Sequence, residues 1–324
     1  MTINHLTVAG SGVLGSQIAF QAAYKGLDVT IYDINEEALE KGKERLQRLA
    51  TIYRQEIQTA KSSYSDQAHN IHYNKNLLPN LDDIFLAKVD ASLDLVAQLP
   101  DNIRLVTDLE AAVQDADLVI EAVPERVAIK ESFYKDLGKV APAKTIFASN
   151  SSTLLPSQFA QLTGRPEQFI ALHFANNIWQ NNIVEVMGHA QTSDETYKQV
   201  VAFAKAISMV PLQLHKEQAG YVLNSILVPF LENALILYNK EIADPKTIDW
   251  AWKLGTGAPM GPLEIIDIVG IETVYNIMKN YADTNDDPKS THAKLAKMLK
   301  EQFIDTGHTG KTVGQGFYTY TDKK

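Results

Sequence analysis

From residue 5 to about 190, short β-branched runs alternate with longer helix-period segments, as a mostly parallel sheet covered by helices requires. HLTVA, DVTIYD, IRLVTD, DLVIEAV, TIFASN, FIALHF and IVEVMG read as strands. Between Asp33 and Asp117 stands a long polar insertion, Glu36 to Gln98, whose mixed charge predicts a solvated helical pair. Beyond about residue 215 the strand signal stops, and helix-period segments at 219–239, 246–253 and 262–280 take over. The pattern predicts an α/β fold in two parts. Residues 1–214 form a doubly wound sheet with a helical insertion near 36–98, and residues 215–324 form an all-helical domain. YVLNSILVPFLENALILY, residues 221–238, approaches membrane length, but Asn224, Pro229, Glu232 and Asn233 interrupt it, so a helix buried in protein is expected. The terminal GQGFYTY reads as a Gly-rich turn into a docked aromatic tail.

Composition adds exclusions. The chain has 324 residues, 45% hydrophobic and 21% charged, enough to bury a core in each of two domains. A formal charge of −9 leaves no excess positive field, so neither nucleic acid nor an anionic membrane is an expected partner. With no cysteine there is no disulfide and no thiolate nucleophile, which fits a reducing cytoplasm; any metal chemistry would rest on histidine and carboxylates, and no metal is expected. The N-terminus enters an apolar run at once, without the charged region and cleavage site of a leader, and a cytoplasmic location is expected.

VAGSGVLGSQIAF places Gly10, Gly12 and Gly15 between a strand and a helix in the G-x-G-x-x-G spacing. The first glycine permits a tight turn, the second lets backbone approach a pyrophosphate, and the third lets helix and strand pack closely. With Val13 and Leu14 they would present free helix N–H groups to phosphate. The bare pattern also suits an inert glycine-rich turn. The next strand ends in Asp33, where a carboxylate accepts adenosine-ribose hydroxyls and repels a 2′-phosphate, which selects NAD and a Rossmann-type domain.

HFANNIWQNNIVEVMG, residues 173–188, sets His173 and Glu185 in otherwise apolar strands joined by a loop, close enough for imidazole and carboxylate to meet. Two readings stay open on these residues alone. One is a mutually satisfied core pair. The other is a general base, His173, with Glu185 fixing its tautomer, for oxidation of an alcohol whose hydride passes to nicotinamide. ASNSSTL offers Ser149, Asn150, Ser151 and Ser152 as donors to a developing oxyanion, or forms a solvated serine turn.

Taken in order, the Gly turn, EAVPE, SNSST, HFANN with Glu185, GYVLN, PMGPLEIID and GQGFY resemble the seven motifs of the short-chain L-3-hydroxyacyl-CoA dehydrogenases, including 3-hydroxybutyryl-CoA dehydrogenases. The resemblance covers nearly the whole chain. It implies that His173 is the base and Glu185 its partner, and that Ser152 and Asn224 bind the substrate's 3-hydroxyl or carbonyl in a cleft between domains. It further implies that Asn176 lies near the nicotinamide, that Glu125 and Lys130 line the cofactor cleft, and that the substrate is an acyl-CoA thioester. Homodimerisation through the helical domain is implied too, where PMGPLEIIDIVG would otherwise expose an apolar patch.

The chain departs from the family pattern at several positions. Asn177 stands for a proline, Trp179 for a small or aliphatic residue and Ser225 for an arginine, and Lys311 sits one step early before Thr312 and Val313. The insertion is longer than in the family, and the family's CoA-contacting serine and lysine do not align; Arg45, Arg48, Arg54 and Lys61 are the basic residues available to hold CoA phosphates instead. Asn177 and Trp179 are expected to line the loop nearest the substrate. Two alternatives remain: a related dehydrogenase of a non-CoA 3-hydroxy acid, of carnitine or sugar-acid type, and a non-catalytic dinucleotide-binding protein.

Overall fold

The computed structural model describes residues 2–65, 86–285, 287 and 289–320. The chain divides into two compact units, Met1–Val222 and Leu223–Lys324. The division falls later than Leu214 because Tyr221 is buried with Ala171, Met187 and Leu214, and so belongs to the first unit.

That unit runs β1 (His5–Ala9), α1 (Val13–Tyr24), β2 (Asp28–Tyr32), α2 (Glu36–Ser65), α3 (Leu86–Asn102), β3 (Arg104–Val106) and α4 (Leu109–Val113). It continues with β4 (Leu118–Glu121), α5 (Val127–Val140), β5 (Ile146–Ser149), β6 (Phe169–Phe174), β7 (Ile183–Met187), α6 (Asp194–Ala206) and β8 (Val210–Leu214). The strands form one sheet in the order β3-β2-β1-β4-β5-β6-β7-β8, and each pairing is parallel except β6 with β7. Strand β8 was not expected from the sequence. It carries Pro211, which cannot donate to a ladder, and it lies at the sheet edge where that loss is tolerated.

The chain order reverses between β1 and β4, the place where an open α/β sheet leaves a crevice beyond its strand ends. Strand β6 is buried along its whole length, as a strand covered on both faces must be, so His173 lies in the interior. The antiparallel register sets His173 opposite Glu185 as a cross-strand pair.

The insertion is less solvated than its composition suggests. Leu39, Leu46, Leu49, Ala50, Tyr53 and Ile57 form a buried stripe on α2, hidden among charges on the opposite face. Tyr53 lies 4.8 Å from the Phe20 ring and 6.1 Å from Trp179, and its hydroxyl donates to Gln21 Oε1 at 2.6 Å. Trp179 is therefore a core residue against α2 and does not line an open loop near a substrate.

Asn177 has φ 58°, and its backbone N–H donates to Gln17 Oε1 on α1 at 2.9 Å. A proline, the residue that the resemblance leads one to expect there, can do neither, because its ring fixes φ near −65° and removes the N–H. The link between β6 and β7 is held by α1 through this bond.

The second unit comprises α7 (Leu223–Asn239), α8 (Pro245–Thr256), α9 (Pro262–Val269), α10 (Ile271–Asn285) and α11 (Thr291–Leu299). Helix α7 starts later than residue 219 because Gly220 and Tyr221 both take positive φ. The expected 262–280 helix breaks at Gly270, whose φ of 95° cannot continue a helix. The C-terminal tail is docked within this unit. Asp267, fully buried, accepts from Phe317 N and Tyr318 N at 2.9 Å each and from the Tyr320 hydroxyl at 2.9 Å. The Tyr318 hydroxyl donates to Asp249 Oδ2 at 2.7 Å, and that aspartate also accepts from Leu263 N and Glu264 N at the start of α9.

Two stability measurements follow from these contacts. Asp267→Ala leaves part-buried tail N–H groups without their acceptor and is expected to destabilise the protein by about 2 kcal/mol in chemical denaturation; a change under about 0.5 kcal/mol would refute the docking account. Asn177→Pro is expected to lower the melting temperature through the lost N–H bond and the forbidden φ, whereas Asn177→Gly should be nearly neutral. Equal melting temperatures for the proline variant and the parent would contradict the geometry.

Candidate active site

The dinucleotide turn lies at the reversal point of the sheet. A Cβ at Gly10 would meet Ala122 O at 2.5 Å and one at Gly15 would meet Gly10 O at 2.0 Å, so both must be glycine for β1, β4 and α1 to pack this closely. At Gly12 a Cβ would meet nothing within 4 Å, and no side chain caps the first turn of α1. That open, uncapped start of α1, formed with Val13 and Leu14, is what a pyrophosphate needs. A cavity of about 950 Å³ extends from Gly10 and Gly12 past Asp33 to Phe133. Asp33 Oδ2 already accepts from Ser11 N at 2.7 Å and Ser11 Oγ at 2.6 Å, while Oδ1 accepts from Ile34 N at 2.8 Å. The carboxylate is held rigidly at the ribose end, with Oδ1 the oxygen that keeps accepting capacity. Arg45 donates to Ser11 O at 3.1 Å and lines this same cavity, which places it beside the dinucleotide turn. Arg48 and Arg54 sit on the exposed face of α2, and the side chain of Lys61 lies outside the described residues.

A second cavity, about 200 Å³, brings Gly12, Val13, Leu14 and Gly15 together with Glu125, Lys130, Asn150 and Ser152. Behind it lies a polar network that the sequence reading had not identified. Glu121, at the end of β4, is fully buried and accepts from Lys130 Nζ at 2.6 Å, Tyr134 OH at 2.8 Å, Ser149 Oγ at 2.9 Å and Val123 N at 2.9 Å. Burial first, and the Glu121 charge second, push the Tyr134 phenol well above its ordinary range, so Tyr134 acts as a donor. Lys130 also pairs with Glu125 at 3.1 Å. Burial works against charge on Glu125, but the Ser151 hydroxyl and Lys130 outweigh it and hold the carboxyl below its usual range. Glu121 is the first glutamate of EAVPE, of which the sequence motif points only to the second, Glu125; an acid closing a buried apolar strand shortly before a helical lysine was the available signal.

These bonds sort the four donors offered by the serine turn. Ser149 is committed to Glu121, Asn150 Oδ1 accepts from Phe174 N at 3.0 Å, and Ser151 donates to Glu125. Ser152 alone of the four meets the imidazole: its Oγ lies 3.1 Å from His173 Nε2. On the other edge of the ring, His173 Nδ1 lies 2.9 Å from Glu185 Oε2. Glu185 Oε1 accepts from Val222 N at 2.9 Å, and Tyr221 stacks on the imidazole with ring centroids 4.6 Å apart at 18°. Tyr221 and Val222 belong to GYVLN, whose sequence alone signals no role for either.

Asn176 follows β6 as an exposed residue, its carbonyl accepting from Asn181 Nδ2 at 2.8 Å. Asn224 lies in the first turn of α7, in the second unit. The first unit therefore brings together the Gly turn, Glu125, Lys130 and Ser152, and joins Ser152 to His173 and Glu185.

Comparison with known proteins assigns the chain to a family. The description "3-hydroxyacyl-CoA dehydrogenase, NAD binding domain" matches residues 5–87 and 85–218, and "3-hydroxyacyl-CoA dehydrogenase, C-terminal domain" matches residues 220–320. A probable 3-hydroxyacyl-CoA dehydrogenase of Caenorhabditis elegans is 33% identical over 98% of this chain and 93% of its own length. A probable 3-hydroxybutyryl-CoA dehydrogenase of Bacillus subtilis is 32% identical over 100% of this chain and 99% of its own. A solved diketoreductase, described by its substrate-directed dual catalysis of dicarbonyl compounds, is 47% identical, covers 99% of this chain and 100% of its own, and superposes with a TM-score of 0.82. With both domains matched and the dinucleotide cradle in place, the chain belongs to the 3-hydroxyacyl-CoA dehydrogenase family and is an NAD-dependent oxidoreductase.

Proposed function

We propose that this enzyme interconverts an L-3-hydroxyacyl-CoA and its 3-oxoacyl-CoA, with His173 as the general base and Glu185 as its orienting partner. The observation that carries the reading is the imidazole held between Glu185 Oε2 and Ser152 Oγ, at 2.9 and 3.1 Å. An imidazole whose Nδ1–H is fixed by a carboxylate presents Nε2 as an acceptor, and a substrate hydroxyl beside Ser152 would deliver its proton there. NAD, when bound, would supply the acceptor for the hydride that leaves the substrate's carbon 3. In the reverse direction, protonated His173 and the Ser152 hydroxyl donate to the developing alkoxide. Asn224 is proposed as a further substrate contact and Asn176 as a residue beside the nicotinamide. Glu125 and Lys130, paired with each other and with Lys130 also held by Glu121, are proposed to shape the cofactor side of the cavity.

A second reading keeps this chemistry and removes CoA. It is favoured by the 47% identity to the diketoreductase and by Arg45, which is turned to the Ser11 carbonyl and the cavity that also holds Asp33. In that reading the substrate is a free dicarbonyl compound.

The helical unit exposes Ile226, Ile242, Trp250 and Leu254, an apolar surface that a second copy of the chain would cover, and we propose a homodimer. No described helix is long and apolar enough to cross a membrane. A cysteine-free enzyme of this kind fits the reducing cytoplasm, which we propose as its location.

Three measurements test these proposals. NADH consumption should be seen with acetoacetyl-CoA; turnover with a free 3-oxo ester or diketone and none with the thioester would remove CoA from the reading while keeping the chemistry. His173→Gln should lower kcat by about a thousandfold with NADH affinity unchanged, and unaltered turnover would refute the base assignment. Glu185→Gln should lower kcat by about a hundredfold or more through loss of the imidazole's orientation; a change confined to KM would count against an orienting role.

A further inference from the structure

Two hydrogen bonds hold His173, one at each ring nitrogen, to Glu185 Oε2 and Ser152 Oγ. Both act at the edge of the ring, so neither bears on its face. A base that tilts loses alignment with the hydroxyl it serves, and a misplacement of about 1 Å costs on the order of a hundredfold in rate. Something must press on the face of the imidazole.

Tyr221 does so. Its ring lies nearly parallel to the imidazole, 4.6 Å away at 18°, and is 1% exposed. Its hydroxyl donates to Ser151 O at 2.8 Å, the carbonyl of the peptide that leads into Ser152. The next residue gives its N–H to Glu185 Oε1 at 2.9 Å. Residues 221 and 222 therefore contact each member of the trio: the face of His173, the backbone before Ser152, and the second oxygen of Glu185.

The backbone carries a cost for this. Gly220 and Tyr221 take φ of 78° and 52° in succession, and the second is an unfavourable conformation for a residue with a side chain. The double left-handed turn aims both the Tyr221 ring and the Val222 N–H at the pair. Glycine would adopt it without strain but would bring no ring.

We propose that Tyr221 is a positioning residue for the dehydrogenase reaction: its ring fixes the tilt of the His173 imidazole, and its hydroxyl sets the backbone that presents Ser152. The proposal rests on His173 being the base, and its test separates the two.

Tyr221→Leu, Tyr221→Phe and His173→Gln are compared in the full-length enzyme, using NADH with whichever of acetoacetyl-CoA or a free diketone the parent reduces. NADH affinity is followed by fluorescence and folding by melting temperature. Tyr221→Leu should lower kcat by about a hundredfold while KM for NADH changes less than about threefold. Tyr221→Phe, which keeps the ring and loses the hydroxyl, should recover kcat to within about tenfold of the parent. Should Tyr221→Leu retain kcat within about threefold, or should Tyr221→Phe be as impaired as Tyr221→Leu, the assignment of tilt control to the ring is overturned. If His173→Gln itself turns over normally, the base reading fails and this proposal with it; a dead His173→Gln beside a fully active Tyr221→Leu overturns this proposal alone.

Discussion

A carboxyl group buried in a sheet must be supplied with hydrogen-bond donors, and two such groups organise this enzyme. Glu185 in β7 is met by the His173 ring and the Val222 N–H. Glu121 at the end of β4 is met by Lys130, Tyr134, Ser149 and the Val123 N–H. Removing a partner from a buried ionic pair leaves a group without compensation, at about 3–5 kcal/mol. Each donor is anchored in turn, Ser149 in β5, Lys130 and Tyr134 on α5, and Val222 at the end of the first unit. Satisfying the two carboxyls therefore fixes most of what surrounds the reacting position.

The sheet makes this satisfaction geometric. Parallel strands β1, β4 and β5 bring their C-terminal ends to one edge, where the Gly turn, Glu121 and the serine turn meet. A further parallel strand would need a long crossover, but β7 returns antiparallel after a short loop and sets Glu185 directly across from His173. That loop is stiffened from outside the site, by Gln17 on α1 and by Trp179 against Tyr53 on α2. The helical insertion thus supports the hairpin that carries His173 and Glu185 through packing, apart from any role in binding.

The family relation and the 47% identical diketoreductase agree on reduction at a carbonyl and differ in what carries it. The residues proposed for proton transfer are a compact set in β6, β7 and the serine turn. A thioester and a free dicarbonyl would present the same 3-oxo group to them. Selection between the two would fall to residues beyond this set, so the proposed dyad speaks to the chemistry and not to the carrier.

Local pattern was enough for the strands, the Gly turn, Asp33 and the pairing of His173 with Glu185, because each depends on spacing along one or two elements. It missed β8, whose proline weakens the strand signal and whose edge position alone makes it tolerable. It read the insertion as solvated because the buried stripe through Leu46 and Tyr53 is diluted by surrounding charge. The sequence by itself determined the order of the elements through β7, the cofactor and the meeting of His173 with Glu185. Only the tertiary structure decided that Ser152 faces the imidazole while its neighbours are spent on Glu121 and Glu125, that Trp179 is core, and that Tyr221 lies on His173. The physical reason is that a side chain's role depends on which donor or acceptor has already claimed it, and those partners are distant in the chain.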